Sequence, residues 1–117
     1  MESAKIYLAF ARQVKNIAWE KSALALIGHI HRKFGRTEQA IVAYQQALAI
    51  KTDNQVKGAD AGLYAGLAQV YQNLNQPNVA ITYYKESVNR LEQIRSGIED
   101  LPKELQNSFL NATFDFE

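Results

Sequence analysis

The sequence predicts an all-α protein built from antiparallel helix pairs, and three observations carry that prediction. Core-type residues recur at spacings of three and four, as in Ile27, Ile30, His31 and Phe34, or Ala40, Ile41, Tyr44, Ala47 and Leu48. That is the stripe of an amphipathic helix. No segment alternates apolar and polar residues for long enough to form a strand. The chain also matches itself when displaced by 40 residues, so one helical unit is repeated.

The elements follow from where the breakers fall. Breakers cluster at Gly35-Arg36, Thr52-Asp53-Asn54, Asn73-Leu74-Asn75-Gln76 and Ser96-Gly97. Pro77 and Pro102 each stand directly before a helical pattern, where the missing N–H costs nothing because it has no partner there anyway. About six helices are expected, over residues 3–17, 20–34, 37–52, 58–74, 77–96 and 101–114. The first carries Ile6, Tyr7, Phe10, Val14 and Ile17, an apolar load that expects a neighbour. The last carries a stripe of Leu105, Phe109, Ala112 and Phe116, with Leu101, Leu110 and Phe114 beside it. Large apolar patches mark contacts. Two expectations account for both ends: self-association through Phe10, Leu105, Phe109, Phe114 and Phe116, or excision of the chain from a longer array.

At the offset of 40, Leu24 falls on Tyr64, Ile27 on Leu67, Gly28 on Ala68 and His31 on Tyr71. Further along, Ala40 falls on Ala80, Ile41 on Ile81, Tyr44 on Tyr84 and Ala47 on Ser87. Leu8 and Phe10 fall on Leu48 and Ile50, so the first helix reads as the second half of a unit that lacks its first half. A two-helix unit at this period marks an α-solenoid. The small residues let neighbouring helices approach. Ile27, Leu67, Tyr44 and Tyr84 are expected to fill the flanking holes, each worth about 1.5–3 kcal/mol when buried. A glycine inside a helix costs about 1 kcal/mol against alanine, so Gly28 predicts a close contact that offsets the loss.

Composition narrows the function. A chain of 117 residues suits one domain. Thirteen basic against twelve acidic residues give +1, without the basic excess of a phosphate-gripping protein. The absence of cysteine removes disulfides, zinc ribbons and thiol nucleophiles, and fits a cytoplasmic location. The polar start, Met1 to Lys5, and the charges at Arg12 and Lys15 are unlike a signal peptide. No stretch reaches the roughly 18 apolar residues of a membrane span.

The candidate chemistry is thin. His29 and His31 stand two apart and diverge by about 200° on a helix, so they cannot share a metal. His31 reads as a packed or half-buried core residue, while His29 points to the other side. Glu20, Glu38, Asp60, Glu86, Glu92, Glu99 and Asp100 are scattered, and no pair sits among apolar neighbours that raise a carboxyl pKa. Glu99 and Asp100 read as capping charge for the helix after Pro102. Ser22, Ser87, Ser96 and Ser108 lack the glycines of a nucleophile elbow. Gly58, Gly62 and Gly66 lie four apart within a helical pattern, read as close packing or a weakened helix. No catalytic residue, metal or cofactor is expected, and the chain reads as a non-enzyme.

The runs Ile27 to Gly35, Ala40-Ile41 and Tyr44 to Leu48, repeated by Leu67 to Tyr71, Ala80-Ile81, Tyr83-Tyr84 and Ser87-Val88, resemble the tetratricopeptide (TPR) repeat. The resemblance departs at Leu24 and Tyr64, where the family has tryptophan, and at His31, where tyrosine is common. Its period exceeds the usual 34, as in a longer-period bacterial subgroup. On this resemblance residues 1–19 are the second helix of an incomplete repeat, 20–57 and 58–98 are repeats, and 99–117 form a C-terminal capping or interaction helix. The resemblance implies a scaffold whose first helices line a concave, partner-binding face: Ser22, Ala25, His29, Arg32 and Lys33, then Gly62, Ala65, Gln69, Gln72 and Asn73. Arg32 and Lys33 offer themselves to acidic groups. The chaperone-tail clamp of some members needs lysine and asparagine where this chain has Ala25 and His29, so that ligand is not expected. Residues 94–105 resemble the end of the repeat array in bacterial proteins that continue into a caspase-like CHAT domain. The sequence stops short of that domain, and no protease activity is implied. The implied function is therefore protein–protein interaction. A regulatory fragment of a larger TPR–CHAT effector is the alternative, and RNA binding ranks third because no basic stripe supports it.

Overall fold

The computed structural model describes residues 1–51, 57–100, 102–105 and 107. Five helices follow one another: α1 (Glu2–Gln13), α2 (Ile17–Lys33), α3 (Thr37–Ala49), α4 (Lys57–Asn73) and α5 (Pro77–Glu99). Of the sixth helix expected over 101–114, residues 103–105 and 107 are helical, Pro102 is not, and the others lie outside the described residues. No strand occurs among the described residues, and the all-α class holds.

Three of the connections are one turn used three times. Lys15 (φ 58°), Gly35 (φ 73°) and Asn75 (φ 58°) each turn the chain through the left-handed region. In each case the next residue donates its N–H to the carbonyl five residues back: Asn16 to Ala11 at 2.9 Å, Arg36 to His31 at 2.8 Å, Gln76 to Tyr71 at 2.9 Å. That bond closes a helix by satisfying a carbonyl left free in its last turn. Glycine adopts this conformation without a Cβ clash; for lysine it costs about 1–2 kcal/mol.

The turn at Lys15 displaces the expected first boundary. α1 ends at Gln13 rather than near 17, and α2 starts at Ile17 rather than 20, with Asn16 as N-cap accepting from the Trp19 N–H at 3.0 Å. α3 stops at Ala49, before the expected 52, where Ile50 turns extended. At the far end Ser96 and Gly97 do not break α5, which runs 23 residues. A glycine costs a helix interior only about 1 kcal/mol against alanine, which is too little to end one this long. Glu99 and Asp100 accordingly form the last residue and C-cap of α5 instead of opening the next helix.

The helices stack in sequence, and the first helices also meet. α2 packs on α1, α3 and α4, and α4 packs on α3 and α5. Among the described residues α1 does not pack on α3, nor α3 on α5. The radius of gyration is 15.7 Å, above the roughly 13 Å of a compact domain of about 100 residues, as a stack requires.

Tyr44 holds the successive pairs together. It is completely buried in a core with Leu24, Ala40, Ala47, Leu63, Leu67 and Val70. A Cβ added to Gly28 on α2 would lie 2.8 Å from its ring carbons, and one added to Gly66 on α4 would lie 2.6 Å from its Cζ. One aromatic ring is therefore wedged between glycines of both first helices. The close contact expected at Gly28 is present, and Gly66 shares it. Gly62 faces nothing within 4 Å and belongs to the weakened-helix reading instead. Tyr84, expected to fill the matching hole, is 37% exposed. Its surroundings differ because, among the described residues, no first helix follows α5 to close over it.

A buried cation braces the same junction. Lys21 on α2 is almost fully buried; its Nζ donates to the Ile50 carbonyl at 3.0 Å and lies 2.5 Å from Asp60 Oδ1 on α4. A buried charge is tolerated only when paired and hydrogen-bonded. Both conditions are met. In the second pair Ser87 Oγ donates to the Ala61 carbonyl at 2.8 Å, joining α5 to α4.

Candidate partner-binding face

The contact between α2 and α4 sets two helices side by side, and the expected groove residues fall along them. Ala25 on α2 is half-buried against the core, and Ala65 on α4 is half-buried as well. Ser22 and Gly62 are exposed. Small residues on both helices leave a shallow floor. Towards the C-terminal ends the side chains lengthen: His29, Arg32 and Lys33 on α2, Gln69, Gln72 and Asn73 on α4.

Two of these residues are drawn together, and a third is fixed from the core. Arg32 donates Nη1 to the Gln69 side-chain carbonyl, a bond that crosses from α2 to α4. His29 Nδ1 is hydrogen-bonded to Tyr44 Oη at 2.7 Å, with the rings edge to face at 5.3 Å. The core tyrosine therefore reaches this face from below and fixes the imidazole. Gln72 is engaged separately, accepting from the Tyr84 hydroxyl at 3.3 Å. Lys33 and Asn73 are exposed.

The electrostatics of this end are cationic without being acid–base machinery. The His29 pKa is lowered, first by burial and then by the Arg32 and Lys33 charges, so the imidazole is neutral at pH 7. Burial raises the Tyr44 hydroxyl, which stays protonated. None of the ten groove residues is acidic, and Arg32 and Lys33 supply its charge. Such a surface can accept carboxylates and backbone carbonyls.

Other expected residues lie elsewhere. His31 is half-buried on the far side of α2, as its core reading required, with its pKa lowered by burial, then by Arg36 and Lys5. It borders an open cavity of about 500 Å³ between α2 and α3, lined also by Ile27, Glu38 and Val42. Phe10 is exposed and stacks on Trp19 at 6.0 Å. Leu105 is exposed too, while Phe109, Phe114 and Phe116 lie outside the described residues. Two features escaped the sequence: the Arg32–Gln69 bond, and the burial of Lys21, which only the fold places opposite Asp60. Among the described residues no three potential metal ligands gather, and no helix is long and apolar enough to cross a membrane.

Comparison with known families gives two matches, both described as tetratricopeptide repeat, over residues 23–57 and 61–90. No curated protein and no solved structure matches the chain.

Proposed function

Because the chain belongs to the tetratricopeptide repeat family, a family of protein-interaction scaffolds, we propose that it holds an extended or helical segment of a partner protein along α2 and α4. The observation that supports this is the hydrogen bond from Arg32 to Gln69, which ties the two first helices into one face. Ala25, Gly62 and Ala65 leave room for a backbone to approach; His29, Arg32, Lys33, Gln69, Gln72 and Asn73 then supply polar contacts at one end. An acidic side chain or a terminal carboxylate of the partner meets Arg32 and Lys33. A stack with its face already formed lowers the ordering cost of binding. Catalysis has no part in this mechanism.

Capture of partners by the wild-type chain, beside an Arg32→Glu/Lys33→Glu variant and a Lys85→Glu control on α5, tests the proposal. Loss of a partner in the double variant alone supports it. Equal recovery in all three removes the basic end of the face from the account.

A second reading rests on residues 94–105, which resemble the end of a bacterial repeat array that leads into a CHAT domain. α5 is ten residues longer than α3 (23 against 13), and the extra length carries part of that segment. On this reading the stack is the regulatory part of a larger effector. The neighbouring reading frame decides it, and an adjacent frame without a caspase-like domain counts against it.

A further inference from the structure

We infer that His29 selects the partner's anchoring group: the buried Tyr44 hydroxyl fixes its proton on Nε2, and that N–H joins Arg32 and Lys33 in binding a carboxylate. This recognition presupposes the partner-binding face of α2 and α4. The lock is one hydrogen bond. Tyr44 is completely buried, and among the described residues its Oη has a single hydrogen-bond partner, His29 Nδ1 at 2.7 Å. Burial, then the charges of Arg32 and Lys33, keep the imidazole neutral at pH 7, and a neutral ring carries one N–H only. A proton on Nδ1 would make that nitrogen the donor and leave the hydroxyl hydrogen buried without an acceptor, which is costly. With the hydroxyl donating to Nδ1 both groups are satisfied. The ring proton therefore sits on Nε2.

That N–H is available to a partner. The two ring nitrogens point in nearly opposite directions, so Nε2 turns away from the core that holds Nδ1. Among the described residues Nε2 makes no hydrogen bond, and it is not buried. His29, Arg32 and Lys33 are spaced three and four apart on α2, which puts them on one side of the helix. Forty residues on, the position of His29 is held by Gln69, the residue that Arg32 reaches.

The donor set selects the ligand. A fixed N–H, a guanidinium and an ammonium meet here, and none of the ten face residues is acidic. Three donors and two positive charges suit an anion. Arg32 already gives one N–H to Gln69, and the imidazole adds no charge of its own. What remains matches the single charge and paired oxygens of a carboxylate, from a side chain or a chain terminus, better than a dianionic phosphate. Tyr44 itself touches no ligand; it is a positioning residue that ties recognition to the core.

Long-range proton–nitrogen NMR of the free chain reads the tautomer without any partner. The His29 ring is expected to show a protonated Nε2 and an unprotonated Nδ1; a proton on Nδ1 overturns the inference and leaves the face itself standing. Acetate is then titrated at constant ionic strength, beside acetamide and inorganic phosphate. Acetate is expected to move the His29 Nε2 signal saturably, phosphate more weakly, and acetamide not at all. N-acetylalanine and the N-methylamide of N-acetylglutamate then separate a terminal from a side-chain carboxylate, the tighter of the two naming the source. His29→Phe is expected to weaken acetate about tenfold, followed on the Arg32 side-chain signals, since one hydrogen bond to a charged group is lost. Circular dichroism checks its fold; should the stranded Tyr44 hydroxyl unfold it, His29→Phe/Tyr44→Phe removes both partners and takes its place. Acetate that leaves His29 unmoved, acetate affinity unchanged without the imidazole, or phosphate or acetamide binding as tightly as acetate overturns the inference. Partner capture lost in Arg32→Glu/Lys33→Glu but intact in His29→Phe confines that failure to His29 and spares the face.

Discussion

Alanine at Gly66 and alanine at Gly62, one turn apart on α4, are expected to move stability in opposite directions. Both sites are interior to a helix, where alanine is favoured over glycine by about 1 kcal/mol. At Gly62 the new Cβ meets nothing within 4 Å, so the gain is kept. At Gly66 it would lie 2.6 Å from Tyr44 Cζ and 2.8 Å from Oη. Carbon pairs rest at about 3.5–4.0 Å, so the ring must retreat by about 1 Å. It has nowhere to go. The ring also lies close against Gly28, and its hydroxyl is held by His29. Overpacking of this kind costs about 1–3 kcal/mol, which leaves Gly66→Ala about 0–2 kcal/mol less stable after the helix gain. The two variants then differ by about 1–3 kcal/mol, or about 4–12 °C in Tm at roughly 4 °C per kcal/mol. Thermal and urea unfolding followed by circular dichroism, at matched concentration, measures the gap. In a Tyr44→Leu background the Gly66→Ala penalty is expected to vanish, since the two sites couple directly. Equal stabilisation by both alanines refutes the wedge, and with it the way the two helix pairs are joined.

Three further outcomes follow from the same structure. Lys15→Gly is expected to stabilise the chain by about 1 kcal/mol by removing the left-handed strain, whereas Gly35→Ala destabilises it; urea midpoints compare the two. Asp60→Ala leaves the buried Lys21 without its carboxylate and is expected to cost about 3 kcal/mol, more than Lys21→Met, which removes the charge together with its need for a partner. Unfolding free energies of the two variants and of the double variant check the order. Acidification is expected to destabilise the fold. His29 and His31 both have folded pKa values below the unfolded 6.5, so the unfolded chain binds more protons. Their contribution is complete above about pH 6.5 and is lost as pH falls below it. A Tm profile from pH 7.5 to 5 that is no flatter in a His29→Gln/His31→Gln variant contradicts this assignment.

The parts of the fold legible in the sequence were those written twice. Leu67 and Ala68 repeat Ile27 and Gly28, and Ala80 repeats Ala40, so α2 with α3 and α4 with α5 could be read as equivalent pairs. Gly28 announced its contact because a glycine inside a helix needs a reason. The turn at Lys15 was hidden because lysine is not a breaker residue. Asn16, a favoured N-cap three residues before Trp19, was the available signal. Tyr84 shows the limit of repetition. Its identity follows the period, but its burial depends on a neighbour that the period alone does not supply. Of the face itself, the membership of Arg32 and Gln69 came with the family resemblance. Their mutual bond did not, because it depends on the distance between two helices separated by a whole repeat.

The account rests on one ring touching two helices from successive pairs, since that contact brings α2 and α4 side by side and so forms the face assigned to a partner. Proton–proton NOEs in the free chain measure it directly. The Tyr44 ring protons are expected to show cross-peaks to the α-protons of both Gly28 and Gly66. Cross-peaks to Gly28 alone, with Gly66 near other residues, contradict the stack and leave α2 and α4 without a common surface.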